Sequence, residues 1–99
     1  RAAAADVQYV TPRIRLARMA AEDRDWAEAS RLAAEAIALA PGQFPEAYLL
    51  RATAEFNRGD YSNAEHFATV GLSAKGDPEP QLDALLEKIT ERAGRLAAR

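Results

Sequence analysis

The chain has 99 residues, a mass of 10.8 kDa and a formal net charge of −2, which is one domain's worth of polypeptide. Its apolar share is 48 %, but 24 alanines stand against ten leucines and seven aromatics, so only a narrow core can be built, in a size class that buries roughly 60–65 % of its unfolded surface. Without cysteine there is neither a disulfide framework nor a thiolate site; one histidine, His66, rules out a multi-histidine site; the charge favours neither nucleic acid nor membrane, and no apolar run nears the ~20 residues of a membrane span.

Eleven arginines against two lysines read as the codon usage of an Ala- and Arg-rich genome. The chain opens on Arg1 with no initiator Met and no signal-peptide pattern, which reads as a piece of a longer protein and leaves localisation open.

Alanine-rich, glycine-poor sequence with dispersed charge predicts helix. The breakers are few: Pro12, Pro41-Gly42, Pro45, Gly59, Gly76, Pro78 and Pro80. Residues 1–9 have little to bury and read as a linker, with a helical extension as the alternative. The first helix is expected from Pro12 to Asp23, capped by Thr11 with Pro12 at its first position. The second starts after Asp25, with Glu28 three residues on in a capping-box arrangement, and stops at Pro41-Gly42. The third runs from Pro45 to Arg58, carries Tyr48, Leu49, Ala52 and Phe56 at one-turn spacing, and ends at Gly59. The fourth opens at Asp60 or Ser62 and fades at Lys75-Gly76. The fifth follows Pro80, with a stripe of Leu82, Leu85, Leu86, Ile89, Ala93 and Leu96 and a favourable Glu91–Arg95 pair.

The second helix repeats in the fourth. Asp25-Trp26-Ala27-Glu28-Ala29 aligns with Asp60-Tyr61-Ser62-Asn63-Ala64 at an offset of 35. The same offset pairs Ala17 with Ala52, Ala33 with Ala68, Ala36 with Gly71 and Ile37 with Leu72. Small residues allow close helix approach, Trp26 and Tyr61 suit the wedge between adjacent pairs, and each pair leaves an apolar face for the next to cover.

The motif Gly59-Asp60-Tyr61-x-x-Ala64, then Ala68 and Gly71-Leu72, with its copy Asp25-Trp26-x-x-Ala29, Ala33, Ala36-Ile37 and Pro41, resembles the tetratricopeptide repeat (TPR) family. The resemblance implies an all-α, right-handed helical stack: repeats over 10–44 and 45–77 and a capping helix over 78–98. Arg13 stands where that family usually has an aromatic, Arg24 replaces the turn glycine, Phe44 looks inserted, and Gly76 or Asp77 replaces the second closing proline. The stretch from Phe44-Pro45-Glu46-Ala47-Tyr48 to Asn57-Arg58-Gly59 also resembles TPR tails of bacterial proteins that begin with a small carboxypeptidase-regulatory-like β-domain. That would make the chain the C-terminal part of a larger, exported protein.

No nucleophile elbow, phosphate loop, dinucleotide fingerprint or zinc-helix motif is present. Ser62 and His66 are four apart without a third orienting group, and read as a cap and a solvated histidine. Glu22, Asp23 and Asp25, and Asp83 with Glu87, read as caps and solvated faces. Arg13, Arg15 and Arg18 form a basic cluster, with Arg18 in reach of Glu22; an acidic-peptide contact is its functional reading. The expectation is a non-enzymatic protein-interaction module with no cofactor and no metal. Its partner is a protein or peptide, not nucleic acid, and there is no membrane insertion.

The resemblance places the first helix of each repeat along a concave groove. Carried over, the groove is lined by Ile14, Arg18 and Glu22, then Leu49, Thr53, Phe56 and Asn57, then Gln81 and Leu85. A carboxylate-binding version of that groove is disfavoured, since Ile14, Leu50, Gln81 and Leu85 occupy its polar positions and only Arg18 is basic. Leu49 and Phe56 are the expected apolar contacts and Arg18 the polar one. The alternative is structural self-association as a homodimer, because two repeats fall short of the three or so that a helical stack needs.

Overall fold

The computed structural model describes residues 2–76 and 79–97. Five α-helices follow one another: α1 (Ala2–Glu22), α2 (Trp26–Leu39), α3 (Pro45–Asn57), α4 (Tyr61–Leu72) and α5 (Gln81–Ala97). Each packs on the next; α1 also meets α3 and α3 meets α5, whereas α2 and α4 make no contact among the described residues. The odd helices therefore form one layer and the even helices a second, in a body of 50 × 26 × 18 Å.

The start of α1 departs from expectation. The helix begins at Ala2 and carries Pro12 inside it rather than at its first position. Pro12 removes one donor, at a typical cost of about 3 kcal/mol. Val10 and Ile14 are both buried on either side of it, so packing holds the helix through the break, and the alanines at 2–5 continue it at little intrinsic cost. The Arg13 guanidinium donates 2.9 Å to the Tyr9 carbonyl, satisfying an acceptor beside the proline.

The offset of 35 is visible in the backbone. Arg24 and Gly59 both have positive φ, +61° and +88°. The Arg24 N–H donates to Ala21 O and the Asp25 N–H to Ala20 O; at the second turn the Gly59 N–H donates to Phe56 O and the Asp60 N–H to Glu55 O. Both turns are Schellman closures, in which two N–H groups past the helix end satisfy orphan carbonyls. Asp25 and Asp60 then take nearly the same φ and ψ (−88°, 79° and −91°, 77°) and accept from the backbone N–H three residues on. The reciprocal half of the expected capping box is missing: the Glu28 carboxylate turns to Arg31 instead.

Alanine and glycine set the helix spacing. Ala17, Ala29, Ala33, Ala52, Ala64 and Ala68 have no exposed surface. At Gly71 an added Cβ would lie 2.7 Å from the Tyr48 Cβ, so α4 approaches α3 and α5 too closely for any side chain. The Tyr48 hydroxyl accepts from the Gly42 N–H at 2.7 Å, and the Gly42 carbonyl accepts from the Lys75 N–H, which ties the α2–α3 loop to the end of α4.

One core cluster joins α1, α2 and α3 around Val10, Ile14, Leu32 and Leu50. A second joins α3, α4 and α5 around Leu49, Leu82, Leu85 and Ile89. Tyr61 packs at the edge of the second cluster and Trp26 against Ala20, Ala29 and Ala54; both are only partly buried, less than a filled wedge would require. On α5 the apolar stripe buries through Ile89; Leu86 is half-buried and Ala93 is exposed. The Leu96 side chain and residues 77, 78 and 98 of the sequence-based boundaries lie outside the described residues.

Candidate functional site

Because α3 is sandwiched between its neighbours, most of its surface is buried. Its remaining open edge carries Leu49, Thr53, Phe56 and Asn57, spaced one and two turns apart. These four residues face Gln81, Ala84, Leu85 and Lys88 of α5 across a cleft of about 340 Å³. Leu49 and Leu85 form its floor and are themselves core residues, 9 % and 8 % exposed. The Asn57 amide donates 2.9 Å to the Thr53 carbonyl, fixing one rim. Gln81 and Lys88 are exposed on the other.

Phe56 is half-buried at the end of this cleft. Its ring lies 5.4 Å from that of Tyr61 and 5.5 Å from the Arg92 guanidinium. It is therefore both wall and packing residue, held by an aromatic contact and a cation over its face.

The two first-helix residues fall elsewhere. Ile14 is 6 % exposed in the first core cluster and lines a separate cleft of about 470 Å³ with Gln43, Phe44, Pro45, Glu46, Gly76 and Glu79. Arg18 lines neither cleft. Its Nε donates 2.7 Å to Glu46 Oε2 on α3, rather than pairing with Glu22 as i,i+4 spacing suggests. A carboxylate on the neighbouring helix wins because it braces α1 against α3 at a site both helices already approach. Arg13 is likewise engaged, with Glu35 of α2 at 3.1 Å, and Arg15 is exposed. His66 is exposed, edge-on to Phe67 at 5.0 Å, and Ser62 is exposed as well.

Glu28, Arg31 and Glu35 continue the Arg13 pair along α2. The Arg31 hydrogen bond holds the Glu28 carboxyl below its ordinary value. A depressed carboxylate contributes stability above its unfolded pKa and loses it as pH falls through the folded one. In full solvent that contribution is small and weakened by salt.

The least anticipated feature is a buried polar bolt. Ser30 of α2 and Glu55 of α3 are each 5 % exposed. The Ser30 hydroxyl donates 2.6 Å to Glu55 Oε2, and Arg51 Nε donates to the same oxygen at 3.0 Å. Arg51 in turn lies 4.4 Å over the Phe67 ring of α4. Four side chains thus connect α2, α3 and α4, and no buried side-chain polar atom among the described residues lacks a partner. Neither Ser30 nor Glu55 lines the clefts described above. The sequence signal was a lone glutamate among the buried positions of an alanine-rich helix, at the place where the first repeat has Ala20.

Among the described residues no group of three or more His, Asp or Glu side chains is placed to hold a metal ion, and no helix is long and apolar enough to cross a membrane. The chain matches no family model, no curated protein and no solved structure.

Proposed function

We propose that the chain is a non-enzymatic protein-interaction module, a short TPR-like stack that holds a peptide or a helix in the α3–α5 cleft. The observation that carries this reading is the convergence of Leu49, Thr53, Phe56 and Asn57 on Gln81, Leu85 and Lys88. An apolar floor with a hydrogen-bonding rim is what a helix-in-groove or extended-peptide site requires: apolar anchors for affinity, and polar groups to fix register. The matching turns at Arg24 and Gly59 support the repeat assignment, since two copies of one closure at a spacing of 35 residues fit a repeated helix pair.

The partner's chemistry follows from the rim. Thr53, Asn57, Gln81 and Lys88 bring one cation and no carboxylate, so a partner segment with two or three apolar anchors and an acidic or amide side chain fits best. The contact set no longer includes Arg18, whose guanidinium is engaged by Glu46.

Selection from a displayed library of helical and extended peptides tests the reading. Binders should lose at least tenfold in affinity against Thr53→Arg, which fills the cleft, while the melting temperature stays within a degree or two of wild type. Binders that ignore Thr53→Arg would place recognition elsewhere and overturn the proposal.

A further inference from the structure

The repeat register shows that the two ends of the stack are finished differently. Tyr9, Pro12, Leu16 and Met19 lie along one face of α1. An offset of 35 carries them to Phe44, Ala47, Arg51 and Ala54 around α3, and a second offset to Glu79, Leu82, Leu86 and Ile89 around α5. In α3 that face is covered by the preceding hairpin, with Ala47 and Ala54 at 1 % and 0 % exposure; in α5 Leu82 and Ile89 are at 1 % and 2 %. In α1 it is open: Tyr9, Leu16 and Met19 are 56 %, 50 % and 58 % exposed. The face that receives a helix in the second and third copies thus meets water in the first.

The opposite end is reversed. Positions 13, 17 and 21 of α1 and 48, 52 and 56 of α3 lie toward the next helix, and their third copies are Asp83, Glu87 and Glu91, with Thr90 beside them. All four are exposed and line an open cleft of about 540 Å³ floored by Leu86. Leu72, beside Asp83 in the adjoining cleft, is 45 % exposed. The charges are complementary. Glu35 and Glu46 already engage Arg13 and Arg18, so the exposed Arg15 is the cation α1 offers between Tyr9 and Ala21, whereas between Glu79 and Glu91 there are four carboxylates and one lysine.

We propose that a second copy of this chain docks the outer face of its α1 against the acidic face of α5, head to tail, in the place a sixth helix would take. Leu16 and Met19 of one copy cover Leu86 and Leu72 of the other, and Arg15 meets Asp83 and Glu87. Such a contact is heterologous, so each added copy leaves one α1 face and one α5 face free, and growth does not stop at a dimer. One helix laid on another buries less than the ~800 Å² per partner of stable complexes, so the association is weak, concentration-dependent and screened by salt.

Sedimentation equilibrium over a wide concentration range tests this. At low salt the weight-average mass should climb beyond twice 10.8 kDa, and it should fall back as salt is raised. Leu16→Asp, which disables the α1 face, should be monomeric throughout; so should Asp83→Asn with Glu87→Gln, which neutralises the α5 face. All three positions are exposed, and unchanged melting curves confirm that the variants fold. An equimolar mixture of the two variants retains one intact α1 face and one intact α5 face, and should form a dimer and nothing larger. A wild type that stays monomeric, stops at a dimer, or associates despite these substitutions overturns the proposal, as does a mixture that fails to pair.

Discussion

The α1–α2 and α3–α4 hairpins close with the same turn and are filled differently. Arg24 adopts at +61° the left-handed conformation that Gly59 adopts at +88°, although a side chain there costs roughly 1 kcal/mol that glycine avoids. The hydrogen bonds closing each turn and the aspartate that follows are the same. Turn geometry is thus set by satisfied carbonyls and the next helix's cap, and the turn residue only tunes the cost. The interiors diverge instead. The first hairpin is filled by Val10, Ile14 and Leu32; the second has Phe56, Tyr61 and Phe67 around its core and is anchored back to α2 by Glu55.

The bolt is where the hairpins differ most in energy. Glu55→Ala strips Ser30 and Arg51 of their shared acceptor and should cost about 3 kcal/mol by urea denaturation; Ser30→Ala should cost about half that. A loss below about 1 kcal/mol for Glu55→Ala would mean that the three groups are not coupled. Next come Gly71 and its first-repeat counterpart Ala36. Gly71→Ala drives a methyl into the Tyr48 Cβ, 2.7 Å away, and should lose about 2 kcal/mol, despite alanine's better helix propensity. Ala36→Gly should lose about 1 kcal/mol. If Gly71→Ala were neutral or stabilising, the two helix contacts would be equally spaced.

Trp26→Ala should lose about 2 kcal/mol, since Trp26 is only partly buried against Ala20, Ala29 and Ala54 and forfeits less than a fully enclosed ring. The smallest effects belong to the turns themselves. Arg24→Gly should gain about 1 kcal/mol and Gly59→Ala should lose about the same, both read from denaturation midpoints. Equal signs at the two sites would show that the turns are not equivalent.

These contrasts also mark what the residue order reveals. Helix starts after Asp25, at Pro45, after Asp60 and after Pro80 were legible because caps and breakers act locally. Pro12 misled for the same reason: its local cost is real, yet Val10 and Ile14 carry the helix through by burial that no local rule sees. The α3–α5 cleft was legible only through the resemblance, which carried Leu49, Thr53, Phe56 and Asn57 to one groove with Gln81 and Leu85; spacing alone puts each set on one edge of its own helix and does not bring the two edges together. Ile14 and Arg18 did not join them. Their neighbours are decided by Glu46 and the α1–α3 crossing, which are facts of packing. The Ser30–Glu55–Arg51 bolt was half hidden: i,i+4 spacing links Arg51 to Glu55, but Ser30 comes from another helix and nothing in the spacing points to it.

The most direct test of the cleft is an amide chemical-shift map of the labelled chain titrated with a selected peptide. The largest changes should cluster at Thr53, Asn57, Gln81, Ala84 and Lys88, with little movement at Leu16, Met19 or Glu87. Changes centred on Ile14 and Glu46, or on the outer face of α1, would contradict a binding site between α3 and α5.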